Sequence, residues 1–100
     1  MPFQIKPIYR CNLSGNLHWR KWDSEEYVIF NAASGQTHFL NILGFETLML
    51  LQKKPLNIFE LGRQLSLKFE DFLLDEETQT YIENMLVDLD NLGLVEVCFL

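Results

Sequence analysis

The chain has 100 residues, with 8 Lys and Arg against 14 Asp and Glu for a net charge of −6, and 48% of its residues are hydrophobic. This length and apolar content fit one domain around a single core and exclude a multidomain chain, a repeat array and a disordered one. The apolar runs fall far short of the roughly 20 residues that a membrane span needs, the first residues lack a signal-like apolar stretch, and the acidic balance argues against a nucleic-acid partner. A cytoplasmic location is the expectation.

Taken in chain order, residues 1–16 contain Pro2, Pro7 and the cluster Asn12-Leu13-Ser14-Gly15-Asn16, and are expected to form an irregular N-terminal arm or an extra edge strand. Leu17–Trp22 and Glu26–Asn31 are aromatic and β-branched, with Asp23-Ser24-Glu25 as a polar break between them. Trp19 and Trp22 then point to opposite faces, so at most one belongs to the core. Asn31-Ala32-Ala33-Ser34-Gly35 supplies a second turn, with Gly35 suited to positive φ, and Gln36–Leu40 reads as a third strand. The three make a small antiparallel meander.

After Asn41 the period changes. Ile42, Leu43, Phe45, Leu48, Met49 and Leu51 leave almost no polar face, which predicts a helix buried on most sides, with Asn41 as its N-cap and Pro55 beyond its end. Asn57 and Glu60 have capping-box spacing and open a short helix with Leu61 and Leu65 on one side. Lys68–Leu74 reads as a linker whose Phe69, Phe72 and Leu73 pack down. Asp75 starts a third helix with Glu76 and Glu77 in its first turn, where the dipole favours negative charge. Its buried stripe is Ile82, Met85, Leu86, Leu89 and Leu92, Gly93 ends it, and Leu94–Phe99 is a candidate closing strand. The predicted class is α+β: a three-stranded antiparallel sheet followed by three helices in a winged-helix-like order, with 17–100 as one domain.

Catalytic and metal chemistry find little support. His18 and His38 lie on neighbouring strands, Cys11 and Cys98 near opposite ends, and no close Cys or His pair of the kind zinc sites use occurs. Nothing identifiable activates either thiol, and reduced cysteines are expected. The five glycines are scattered singly, so no phosphate-cradling loop exists. No catalytic residue, metal or cofactor is therefore assigned.

The run Trp19…Trp22…Val28-Ile29-Phe30-Asn31-Ala32-Ala33-Ser34-Gly35-Gln36-Thr37-His38-Phe39-Leu40-Asn41 resembles the front half of PqqD-type peptide chaperones. The helix order and the ending Leu89-Asp90-Asn91-Leu92-Gly93-Leu94-Val95-Glu96 are similar too, over about Leu17–Glu96. The Asn-x-x-Ser-Gly-x-Thr-His turn looks most like the subgroup found beside a kinase related to the HPr kinases. The resemblance implies a recognition module rather than an enzyme. Such a module binds the leader of a ribosomally made precursor peptide by strand addition and presents it to a modifying enzyme, or here to the HPr kinase-related protein. Carried onto this sequence, the accepting edge is Gln36, Thr37, His38, Phe39 and Leu40. The opposing wall is the stripe Glu77, Tyr81, Asn84 and Asp88 of the third helix, with Met85 shared with the core.

Two other readings compete. A winged-helix DNA-binding regulator would need a basic recognition helix, whereas the second helix carries only Arg63 and Lys68 and the third carries no Lys or Arg. A docking subunit of a larger enzyme would use an apolar patch around Phe3, Ile5, Ile8 and Tyr9. An open edge strand that accepts a leader can also accept a second copy of the chain, or the N-terminal arm, when the ligand is missing, so a homodimer through the edge strand or the arm is a further expectation. The charge is uneven: residues 1–54 balance at +2, while residues 55–100 hold ten acidic residues against Arg63 and Lys68, a balance of −8. A solvated helix surface accounts for this, as does a preference for a neutral or basic peptide.

Overall fold

The computed structural model describes residues 7–12, 17–69 and 75–98. Strand β1 is Ile8–Cys11, followed by β2 (Leu17–Lys21), β3 (Glu26–Asn31), β4 (Gln36–Asn41), helix α1 (Ile42–Lys53), β5 (Leu56–Asn57), helices α2 (Ile58–Lys68) and α3 (Glu76–Asn91), and β6 (Val95–Cys98). The fold is α+β, with two antiparallel three-stranded sheets, ordered β2-β3-β4 and β5-β1-β6, around three helices.

The meander follows from its turns. Asp23 Oδ1 accepts from the N–H groups of Glu25 and Glu26, each at 2.8 Å, and so closes the β2–β3 connection. Asn31 Oδ1 accepts from Ala33 N at 3.0 Å and Ser34 N at 3.3 Å, while its carbonyl takes Gly35 N–H at 2.8 Å. Gly35 adopts φ +74°, a conformation that costs glycine nothing. The Asn-x-x-Ser-Gly pattern is thus a self-sufficient turn in which a buried Asn31 carries out the capping of the loop.

Each helix begins on the predicted residue. Asn41 caps α1 through Gly44 N, Asn57 and Glu60 form a reciprocal capping box on α2, and Asp75 caps α3 through Thr78 N. Helix α1 buries Gly44, Phe45, Thr47, Leu48, Leu50 and Leu51, covering most of its circumference. Leu61 and Leu65 of α2 and Ile82, Leu86 and Leu89 of α3 complete the core together with Leu94 and Val95. After α3 the N–H of Leu94 returns to Leu89 O and that of Gly93, at φ +77°, to Asp90 O.

Strand β1 lies at the centre of its sheet, between β5 and β6, where an irregular arm or an edge strand was expected. The physical reason is that its partners are remote or tiny: β5 has two residues and β6 ends the described chain. Ile8 pairs with Cys98 and Cys11 with Val95. The two thiols therefore sit three ladder positions apart, about 10 Å at strand rise, too far to bridge, and both are free. Ile8 and Tyr9, half of the apolar patch considered for enzyme docking, are half-buried in this sheet. Phe3 and Ile5, like Phe72 and Leu73 of the linker, lie outside the described residues. The linker itself starts later than expected, because α2 runs through Lys68, and Phe69 packs against the core.

Candidate functional site

The site forms where β4 meets α3. Strand β4 is an outer strand of its sheet, and among the described residues no strand pairs with its far side. The β2–β3 connection is closed by Trp22 N–H donating to Glu26 O at 2.9 Å. Hydrogen-bonded pairs alternate along an antiparallel ladder. Glu26 and Val28 thus bond toward β2, and Tyr27, Ile29 and Asn31 toward Leu40, His38 and Gln36. Thr37 and Phe39 are left to turn their N–H and C=O groups outward along the open edge.

The side chains alternate in the same register. Leu40 (8% exposed) and the half-buried His38 stand on the core-facing side, opposite Tyr27 and Ile29. Thr37 and Phe39 stand on the outer side, opposite Phe30 and Val28. His38, expected on the accepting edge, turns its side chain inward, and its Nε2 is buried with no hydrogen-bond partner.

Beside the end of β4 lies a cleft of ≈ 340 Å³, bordered by Phe39, Leu40 and Asn41, by Gly44 of α1, and by Tyr81, Asn84, Met85, Asp88, Leu89 and Leu92 of α3. Six of the ten residues expected at a peptide site meet there: Phe39, Leu40, Tyr81, Asn84, Met85 and Asp88. Gln36, Thr37 and His38 lie further along β4 toward the turn, and Glu77 is exposed one turn before Tyr81; none of these four borders the cleft.

Met85 and Leu92 depart from the buried stripe expected for α3. Leu92 is 37% exposed and Met85 half-buried, its sulfur 3.9 Å from the Oγ1 of the fully buried Thr47. Both turn toward the cleft, giving it a soft apolar wall. Asn41, Gly44, Leu89 and Leu92 also border it, although the sequence marked Asn41 only as a cap and Leu89 and Leu92 only as core. For Gly44 a signal existed: a lone glycine in an apolar helical run marks close packing, and a Cβ there would come within 3.2 Å of Asn41 Oδ1.

The outer face of the same sheet mixes His18, Arg20, Glu26 and Thr37 with exposed aromatic residues. Trp22 is 65% exposed and meets Phe39, 61% exposed, edge-on at 6.2 Å between ring centroids. Trp19 takes the opposite side, as the alternation requires. It packs edge-on against Phe45 at 4.8 Å, and Phe45 stacks flat on Tyr27 at 3.8 Å.

Burial pushes the Cys11 thiol up to about 11, and burial, then the charges of Glu83 and Asp90, raise the Tyr9 phenol. The backbone N–H of Thr78 holds the Asp75 carboxyl below its ordinary value. Among the described residues, no group of three or more His, Cys, Asp and Glu could hold a metal ion, and no helix is long and apolar enough to cross a membrane.

The architecture is that of a small α+β domain with an open strand beside a helix-walled cleft. Comparison with family models, with curated proteins and with solved structures returns no match.

Proposed function

We propose that the chain is a peptide-binding recognition module that takes an extended segment onto β4, against α3, and presents it to a modifying enzyme. The observation that carries this reading is the contrast between the two outer strands of one sheet. Natural sheets guard their edges with charge, proline or bulges. Strand β2 carries Arg20 and Lys21, whereas β4 reads Gln-Thr-His-Phe-Leu-Asn, with no acidic, Lys, Arg or Pro residue. Its register with β3 is one-to-one from Gln36 to Asn41. An unguarded, regular edge bordering a cleft is suited to strand addition, in which main-chain bonds supply affinity and the flanking pockets supply selectivity.

The resemblance to PqqD-type chaperones supports the same edge and the same helix, and it alone suggests the ligand's origin: the leader of a ribosomally made precursor peptide. A peptide-modifying enzyme or an HPr kinase-related protein is the partner it suggests. The module on this reading binds and presents, and the chemistry belongs to the partner. Co-purification of the full chain with a co-expressed candidate precursor peptide, followed by titration with its leader alone, tests the proposal. Saturable binding by the leader, lost when Thr37 is replaced by Pro, is expected. Binding by the core segment only, or none, contradicts it.

A further inference from the structure

The register of β4 constrains its ligand on both sides of the sheet. Thr37 and Phe39 offer the outward N–H and C=O groups, and their side chains stand on the outer face of the sheet, opposite Phe30 and Val28, with Phe39 also bordering the α3 cleft at the end of the strand. In any strand added there, residues directly opposite Thr37 and Phe39 must share that outer face, since paired residues project to the same side. Only the intervening residues can face Leu40, Tyr81, Met85 and Asp88.

The outer face is prepared for apolar contact. Phe39 is 61% exposed, Trp22 stands edge-on to it, and Val28 lies beside it in the ladder. Cross-strand neighbours on one face approach to about 5 Å between Cβ atoms, within reach of an aromatic or branched side chain. Phe39 has such a neighbour on one side only. Paired exposed aromatic rings flanked by polar Arg20, Glu26 and Thr37 offer a surface on which a further apolar side chain can pack.

We infer that the added segment is read on both faces, with an aromatic or β-branched residue opposite Phe39 packing on the Phe39–Trp22 pair. Specificity is thus divided: the cleft selects every second residue and the outer aromatic pair selects the residues between. This rests on the strand-addition reading and adds the ligand's alternation to it.

Panning the full-length protein against a phage-displayed library of random seven-residue segments tests the inference. The wild type is expected to enrich sequences with an aromatic or β-branched residue at alternating positions. A Phe39→Ser protein should lose that preference and bind the enriched peptides about three- to tenfold more weakly, the range of a cross-strand aromatic pair. A Leu67→Ser protein, altered at a side chain 76% exposed on α2, should keep it. Enriched peptides without alternation, or a preference unchanged by Phe39→Ser and Trp22→Ser, overturn the inference while leaving strand addition standing. Enrichment of nothing overturns strand addition itself, and the inference with it.

Discussion

Asp75 and Cys11 show how single residues set the chain's response to pH in opposite directions. The Asp75 carboxylate accepts from the N–H of Thr78 at 2.8 Å and caps α3, which depresses its pKa below the ordinary 3.8. A depressed folded-state pKa gives stability that is present at neutral pH and lost as pH falls through that value. Replacing Asp75 by Asn keeps the acceptor but not the charge, and is expected to flatten the acid limb of a melting-temperature titration. Cys11 is the mirror case. Its thiol, ordinarily near 9.0, is raised to about 11 by burial, so the contribution is full below 9 and disappears as pH climbs between those values. Iodoacetamide at neutral pH is expected to modify the half-buried Cys98 and to spare Cys11, which is 3% exposed, until the protein unfolds. Mass mapping of the two adducts reads the order. At this scale the sequence was most informative about caps, because Asn41, Asn57 and Asp75 act on groups three residues away. It was least informative about His38, whose inward face depends on strand pairing and not on its neighbours.

At the scale of elements, β4 carries a sharper expectation. Thr37 directs its backbone N–H outward and His38 directs its own toward β3, so proline should behave oppositely at adjacent positions. Thr37→Pro removes a donor that only an added strand would use, and is expected to abolish peptide binding at a stability cost within about 1 kcal/mol. His38→Pro strips a ladder bond from Ile29 and is expected to cost about 1–3 kcal/mol for the carbonyl left unpaired. Urea unfolding of the two variants beside a binding assay separates the cases, and equal destabilisation by both contradicts the assigned register. The meander and all three helices were legible because turn chemistry and period are local properties. Strand β1 was not, since it is defined by pairing with β5 and β6, elements 45 or more positions away along the chain. The four cleft residues without a sequence signal of function fall in the same category. Asn41 is fully explained as a cap and Leu89 as core, and only the approach of α3 to β4 gives them a second surface.

Across the whole molecule, charge and shape divide the labour. The meander belongs to the half with a balance of +2 and α3 to the half with −8, and Asp88 brings that negative charge to the rim of the cleft. On the proposed peptide-binding reading, a neutral or basic segment is expected to bind better than an acidic one, by a modest margin because the carboxylate is exposed. Asp88→Asn is expected to weaken a Lys-bearing peptide by no more than about fivefold, as for exposed ion pairs, and to flatten its salt dependence, measured by fluorescence anisotropy between low and physiological salt. The uneven charge was visible in the sequence, but its placement beside an open strand required the fold. On the proposed reading, β4 receives a strand through the outward groups of Thr37 and Phe39. Amide hydrogen exchange of the uniformly labelled protein, with and without a saturating peptide selected by panning, tests it most directly. Thr37 and Phe39 amides should pass from fast to slow exchange while those of His38 and Leu40, already bonded to β3, change little. Saturation with peptide that leaves Thr37 and Phe39 exchanging fast, with protection appearing on α2 or β6 instead, would contradict the account.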